Sequence, residues 1–333
     1  MKDLYPGFTF GKATRDAYGE ALRDLGRDHP EIVVLDADLA KSTKSFTFGA
    51  EFPERFFNVG IQEANMVGMA GGLAHAGKVP FIHSFASFVI LKGFDQLRMA
   101  VAYPHLNVKV VGSHGGISLG EDGASQQAIE DVALACGLPG FVVCVPSDEH
   151  QMRAAVRAAF EHHGPVYIRS GRPKAPLVYD ATPTDFAFGK GKRLREGTDV
   201  TLMANGLMVA ACLVAAERLA ADGVQARVVD MATVKPLDED EVRAAAAETG
   251  GIVVAEEHLV TGGLGAMVAQ AVCRLHPAPV AFVGLEDTYA ESGAPAALLR
   301  KYGLTADAVL AAAERLLERR GSAASSGAAR SPA

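Results

Sequence analysis

At 333 residues, 49% hydrophobic and 21% charged, the chain is long enough for two domains that each bury a core, and it lies far from the composition of disordered proteins. A formal net charge of −7 without a basic stripe argues against a nucleic-acid surface. No apolar run approaches the roughly 20 residues of a membrane span, and Met1 to Pro6 lacks the apolar core of a signal peptide.

In chain order, strands alternate with helices almost throughout, the pattern of a parallel sheet covered on both faces. Apolar, β-branched runs at Ile32–Leu35, Val108–Val111, Phe141–Val145 and Val166–Ile168 predict strands. Alanine-rich stretches at Glu63–Ala76 and Asp148–His162 predict helices. The second opens on Ser147-Asp148-Glu149, a cap followed by acids in the first turn. Residues 171–198 collect glycines and prolines around the basic run Lys190–Arg195 and read as a linker. Alternation restarts with strands at Val200–Met203, Ala226–Val229, Ile252–Val254 and Val280–Val283. Helices are predicted over Val209–Ala221, from Asp238, over Gly265–Leu275 and finally to about Arg319. The tail, 320–333, is small and polar and reads as disordered. The expected architecture is therefore α/β, with two doubly wound domains at 7–170 and 199–319. The four cysteines, Cys136, Cys144, Cys212 and Cys273, lack C-x-x-C spacing and read as reduced thiols of a cytoplasmic protein.

In doubly wound folds ligands lie beyond the carboxyl ends of the strands, so the loops there carry the functional argument. Three stand out: Leu35-Asp36-Ala37-Asp38-Leu39, Asn58 to Met66, and Gly112 to Gly123. Singly they are bland. A glutamate opening a helix, as Glu63 does, is also what the helix dipole alone favours. His114 between a serine and two glycines reads equally as a solvated loop residue, and Glu121-Asp122-Gly123 as a turn. The run Gly262-Gly263-Leu264-Gly265 lacks dinucleotide-binding spacing.

Jointly these segments resemble the pyrimidine-binding and C-terminal domains of the transketolase family over roughly residues 7–318. The resemblance rests on Gly60-Ile61-Gln62-Glu63-Ala64-Asn65-Met66, Ser84-Phe85-Ala86-Ser87-Phe88, Phe94-Asp95-Gln96-Leu97-Arg98 and Gly120-Glu121-Asp122-Gly123. Downstream it includes Val145-Pro146-Ser147-Asp148, Ile168-Arg169-Ser170-Gly171-Arg172-Pro173, Ala255-Glu256-Glu257-His258 and Glu291-Ser292-Gly293.

The resemblance implies thiamine diphosphate as cofactor, activated by a glutamate that hydrogen-bonds its aminopyrimidine ring; the matching position is Glu63. That role needs a carboxyl able to share a proton near neutrality, which burial favours. Phe85 and Phe88 match ring-stacking aromatics, and Asp38 and Ile61 match further cofactor contacts. Arg15 and Arg172 match phosphate-binding arginines, the residue type that pairs bidentately with phosphate oxygens. Ser42 and His114 match their auxiliaries. Asp122 and Gln126 match groups that read sugar hydroxyls. One segment departs: many members read Leu-Thr-Arg-Arg-Ala after Phe88, where this chain has Val89-Ile90-Leu91-Lys92-Gly93. Leu91 cannot do the work of an arginine or tyrosine, which leaves donor and acceptor open.

The family holds Mg²⁺ and the diphosphate with a Gly-Asp-Gly…Asn motif, and no Gly-Asp-Gly occurs here. The expectation is therefore a C-terminal subunit with no metal ligands of its own. It would pair with a separate N-terminal subunit, which ligates Mg²⁺, as an α2β2 heterotetramer, and it would also associate with itself. The expected activity is transfer of a two-carbon ketol unit from a ketose, phosphorylated or not, to an aldose. Alternatives are a deoxyxylulose-phosphate synthase-like subunit, a 2-oxoacid dehydrogenase β-subunit, a ketol transfer in specialised metabolism, or a catalytically silent partner. Retention of Glu63, Asp38 and both phenylalanines argues against the last.

Overall fold

A computed structural model describes residues 1–328, with side chains through residue 319. The first half runs β1 (Phe10–Ala13), α1 (Thr14–Asp28), β2 (Ile32–Asp36), α2 (Ala40–Thr43), α3 (Phe46–Gly49), β3 (Phe56–Asn58) and α4 (Glu63–His75). It continues with β4 (Val79–Phe85), α5 (Ala86–Gln96), β5 (Lys109–Ser113), α6 (Asp131–Cys136), β6 (Val142–Cys144), α7 (Glu149–Glu161), β7 (Val166–Arg169) and β8 (Lys174–Pro176). The second half holds β9 (Lys192–Arg195), β10 (Val200–Ala204), α8 (Met208–Ala221), β11 (Ala226–Asp230), β12 (Thr233–Lys235) and α9 (Glu239–Glu248). It ends with β13 (Ile252–Leu259), α10 (Leu264–Leu275), β14 (Val280–Leu285), α11 (Pro295–Lys301) and α12 (Ala306–Ala328).

The first sheet has seven strands in the order β12-β6-β7-β5-β4-β2-β3 and is parallel except where β12 joins. The second has five, β14-β13-β10-β11-β9, parallel except for β9. Strands β2, β4, β5, β10 and β11 are buried along their whole length, as strands covered on both faces must be. Apolar side chains supply most of that burial, but β4 also carries Pro80, His83 and Ser84. Proline is tolerated because it stands at the second position of the strand, where little of the ladder precedes it.

Three features reach beyond the sequence reading. Residues 171–198 contain two strands: β8 pairs with β1, and the basic run forms β9, the antiparallel edge of the second sheet. Strand β12, from the second half, extends the first sheet, so the two halves are interleaved. Helix α12 runs past Arg319 to Ala328, through residues expected to be an unstructured tail. Alanines 323, 324 and 328 extend a helix at little cost; residues 329–333 lie outside the described part. Among the described residues no helix is long and apolar enough to cross a membrane.

The halves meet through buried polar contacts. Glu257 at the end of β13 accepts the Ser118 N–H at 2.6 Å, and Arg169 donates to the Glu257 carbonyl at 2.8 Å and to the Ala128 carbonyl at 2.5 Å. The Arg169 guanidinium lies 3.1 Å from Asp131, which also takes the Tyr167 hydroxyl at 2.5 Å. Gly116 has φ +79°, and a Cβ there would stand 2.2 Å from the Glu257 carboxyl carbon, so both backbone conformation and space require glycine. These contacts fix the loop after β5, which carries His114.

Candidate active site

The register of the first sheet sets Asp36 beside His83, and Phe85 beside Ser113. The loops that leave β2, β3, β4, β5 and β7 therefore open at one edge. Asp38 follows β2, Ile61 and Glu63 follow β3, Phe85 ends β4, His114 follows β5 and Arg172 follows β7.

Glu63 is the first residue of α4 and only 3% exposed. Its carboxylate does not cap the helix among the described contacts. It accepts the Ser84 hydroxyl at 3.0 Å and stands 3.8 Å from the Lys92 ammonium. Helices α4 and α5 pack closely here: a Cβ on Gly93 would come within 3.0 Å of Val67 and 3.8 Å of the Glu63 carbonyl oxygen. Phe85 and Phe88 stack on one another with centroids 5.5 Å apart and planes 24° apart. The Lys92 ammonium lies 4.1 Å from the Phe88 ring centroid.

His114 lies on the other side of Phe85, ring centroids 3.9 Å apart. Its Nδ1 meets the Ser113 hydroxyl at 2.8 Å and its Nε2 meets Arg15 at 2.9 Å. Burial, then the charges of Arg15, Arg172 and Lys44, push the imidazole down to about 3. His114 is therefore neutral at physiological pH and presents one donor and one acceptor. Arg15 also donates to the Ser42 carbonyl at 2.9 Å, while its buried Nε has no hydrogen-bond partner among the described residues. The Ser42 backbone, rather than its hydroxyl, makes the contact with Arg15.

Arg172 donates to the Leu119 carbonyl and to the Glu121 carboxylate, each at 2.6 Å. Burial lowers Arg15 below the usual guanidinium range, and the Arg172 charge adds to that shift as it does at His114. The three groups thus share one electropositive corner. Asp122 is exposed and opposes that trend at Arg15. Gln126 takes the Ser125 hydroxyl at 2.5 Å, and its carbonyl takes Ser87 at 3.0 Å, which ties it to the first turn of α5. On the opposite flank Asp38 adopts φ +66° and accepts from Asn58 at 2.8 Å; Ile61 is 69% exposed.

The structure thus links Glu63 to Phe88 through Lys92, Phe85 to Phe88 and to His114 by ring contacts, and His114 to Arg15 and the Ser42 carbonyl, with the charge of Arg172 felt at His114 and Arg15. Asp38, Ile61, Asp122 and Gln126 stand on surrounding loops. Sequence reasoning missed Ser84, Lys44 and Lys92. Lys92 had a readable signal, because it lies four residues after Phe88 and hence on the same helix face. The Glu256-Glu257-His258 run, counted only toward the resemblance, serves the seam: Glu256 accepts the Leu264 and Gly265 N–H groups, each at 2.8 Å.

The donor set suits an aminopyrimidine. A flat ring finds the phenylalanine pair, and a ring nitrogen finds a buried carboxylate with little else to bind. Among the described residues no three His, Cys, Asp or Glu side chains converge to hold a metal.

The pyrimidine-binding domain of transketolase matches residues 11–177, and the transketolase C-terminal domain matches 189–309. The 6-deoxy-6-sulfo-D-fructose transketolase subunit SqwH of Clostridium sp. (strain MSTE9) is 42% identical over 306 residues, covering 92% of this chain and 95% of its own. An apulose-4-phosphate transketolase subunit from Phocaeicola vulgatus is 35% identical over 297 residues, covering 89% and 95%. A solved structure described as a split gene transketolase, inactive beta4 tetramer, is 50% identical with a TM-score of 0.87, covering 92% of this chain and 99% of its own. Given this coverage and the geometry above, the chain belongs to the transketolase family of thiamine-diphosphate-dependent transferases, and its two domains are those that make up the C-terminal subunit of the split members.

Proposed function

We propose that this subunit provides the pyrimidine side of a thiamine diphosphate site and the anion-binding end of a sugar site. It would work with a separate N-terminal subunit that carries the Mg²⁺ and diphosphate ligands, in an α2β2 heterotetramer of the cytoplasm, where thiols stay reduced. The bound cofactor would supply the carbon nucleophile for moving a two-carbon ketol unit between sugars. The chain's own residues bind and orient. Glu63 holds the ring nitrogen and shares a proton with it, Phe88 and Phe85 offer the stacking face, and His114, neutral, accepts from Arg15 and so holds that guanidinium for the substrate anion. Arg15 and Arg172 receive the terminal anion of a ketose or aldose phosphate; Asp122 and Gln126 meet hydroxyls nearer the reacting carbons. Asp38 and Ile61 lie where the partner's half of the cofactor would approach.

One observation carries this reading: Glu63 is a buried helix-opening carboxylate that caps no helix N–H among the described contacts, with the Lys92 ammonium 3.8 Å from it and 4.1 Å from the Phe88 ring centroid. The likeness to a chain described as a β4 tetramer supports self-association when the partner is absent. The relatives named for sulfo-sugar and apulose phosphate substrates support an anionic sugar here. The test is reconstitution with an N-terminal partner and assay on a panel of ketose phosphates, sulfo-sugars and unphosphorylated ketoses. Ketol transfer that needs both chains and favours anionic substrates is expected. Transfer by either chain alone, or equal use of neutral sugars, would contradict the reading.

A further inference from the structure

Lys92 projects from α5 one helical turn beyond Phe88, and helical side chains lean toward the preceding turn. Its ammonium lies 4.1 Å from the Phe88 ring centroid and 3.8 Å from the Glu63 carboxylate. Those are the two surfaces that an aminopyrimidine would use, a π face and a buried acceptor. The lysine is half exposed (51%), so its stem can swing to solvent, whereas Glu63 is fixed by burial and by Ser84.

We propose that Lys92 is the resident occupant of the pyrimidine slot in the cofactor-free chain: its ammonium pairs with Glu63 over the Phe88 ring and must leave before an aminopyrimidine can enter. The proposal rests on the cofactor reading above. A cation on an aromatic face beside a buried carboxylate relieves the cost of leaving that charge unpaired. It also makes ring entry a displacement. Lys92 thereby sets the affinity of the slot without contributing to the chemistry.

The experiment is a ligand-observed NMR titration of the full chain with 4-amino-5-hydroxymethyl-2-methylpyrimidine, the pyrimidine half of thiamine. Wild type is compared with Lys92→Met, Lys92→Arg, Glu63→Gln and Phe88→Ala. Lys92→Met should bind the compound about tenfold more tightly than wild type, the size of a modest cation–π and ion-pair competitor. Lys92→Arg, which keeps the cation, should behave as wild type. Equal or weaker binding by Lys92→Met, or none, would overturn the proposal. If wild type and Lys92→Met bind alike while Glu63→Gln and Phe88→Ala lose binding, the slot stands and only the role of Lys92 falls. If Glu63→Gln and Phe88→Ala bind as wild type does, the pyrimidine site itself is misplaced.

Discussion

Each half buries a glutamate near a helix N-terminus, Glu63 as the first residue of α4 and Glu256 in β13 against the start of α10, yet the two glutamates live differently. Glu256 accepts two backbone N–H groups at the start of α10, so its charge is spent on closing a helix end. Glu63 opens α4 but among the described residues accepts only the Ser84 hydroxyl at 3.0 Å, with Lys92 at 3.8 Å. Around Glu256 the second sheet is sealed against the first by Glu257, Arg169 and Asp131. Around Glu63 stand Ser84 and Lys92, and the aromatic contacts Phe85–Phe88 and Phe85–His114 join the end of β4 to α5 and to the loop after β5. A shared fold does not dictate where chemistry sits; an acceptor left without an internal duty does.

Replacing each glutamate by alanine breaks the comparison most sharply. Glu63→Ala should lower turnover of the reconstituted enzyme at least ~10²-fold, the lower range for losing an acid–base group, with an unchanged unfolding midpoint. Glu256→Ala should instead destabilise the fold by about 1–3 kcal/mol, the cost of orphaning buried N–H groups. Near wild-type turnover in saturating cofactor for the first, or an unchanged midpoint for the second, would dissolve the distinction.

The arginine end of the candidate site gives the next effect. Arg15→Ala and Arg172→Ala should each raise KM for phosphorylated substrates roughly 10- to 150-fold, as expected for a charge-assisted bond of ~1.5–3 kcal/mol. Unphosphorylated analogues should be affected far less. Equal losses on both substrate types would show that these arginines do not meet a phosphate.

The regions also differ in how burial moves their titrating groups. His83, in β4 beside Leu35, is buried and pushed down to about 4 by that burial. The unfolded chain binds its proton more readily, so the stability linked to His83 is complete above about pH 6.5 and fades as pH falls toward 4. Asp230, at the seam, is buried and pushed up to about 7 despite hydrogen bonds from Tyr179, Ser147 and Gln151. Its sign is opposite: the stability it contributes is present at low pH and lost as pH rises through 7. The two offset one another in the wild type between pH 7 and 5. Urea unfolding should therefore show Asp230→Asn losing about 2 kcal/mol over that interval and His83→Asn gaining a similar amount. Parallel slopes in the two variants would contradict the assignment.

The smallest effect concerns Glu121, whose exposed carboxylate occupies Arg172. Glu121→Gln should lower KM for phosphorylated substrates only about two- to threefold, in keeping with a surface ion pair. A rise in KM would show that Glu121 helps to bind the sugar.

Much of this was legible in the sequence, for physical reasons. Strand β2 is an apolar run, Ile32 to Leu35, closed by Asp36, and α7 announces itself through Asp148, whose side chain does accept the Gln151 N–H at 2.9 Å. Strand β4 was missed because Pro80, His83 and Ser84 interrupt its apolar content, although it lies in the interior of the sheet. Strand β12 has only three residues and exists through pairing with β6, about ninety positions earlier, a contact that local pattern cannot encode. Within the site, resemblance supplied residue names, but the contacts that separate Glu63 from an ordinary helix-opening glutamate are spatial. Ser84 and Lys92 reach Glu63, and the Lys44 charge reaches His114, only when strand β4, helix α5 and the loop after α2 are assembled.

The most direct test of the account is calorimetric titration of thiamine diphosphate with Mg²⁺, first into this chain and then into the chain with an N-terminal partner. A diphosphate carries several negative charges, the chain is net acidic, and Mg²⁺ demands preset oxygen ligands. The account predicts weak binding and no turnover by the chain alone, with tight binding and ketol transfer once the partner is present. Micromolar binding with ketol transfer by the isolated chain would contradict it.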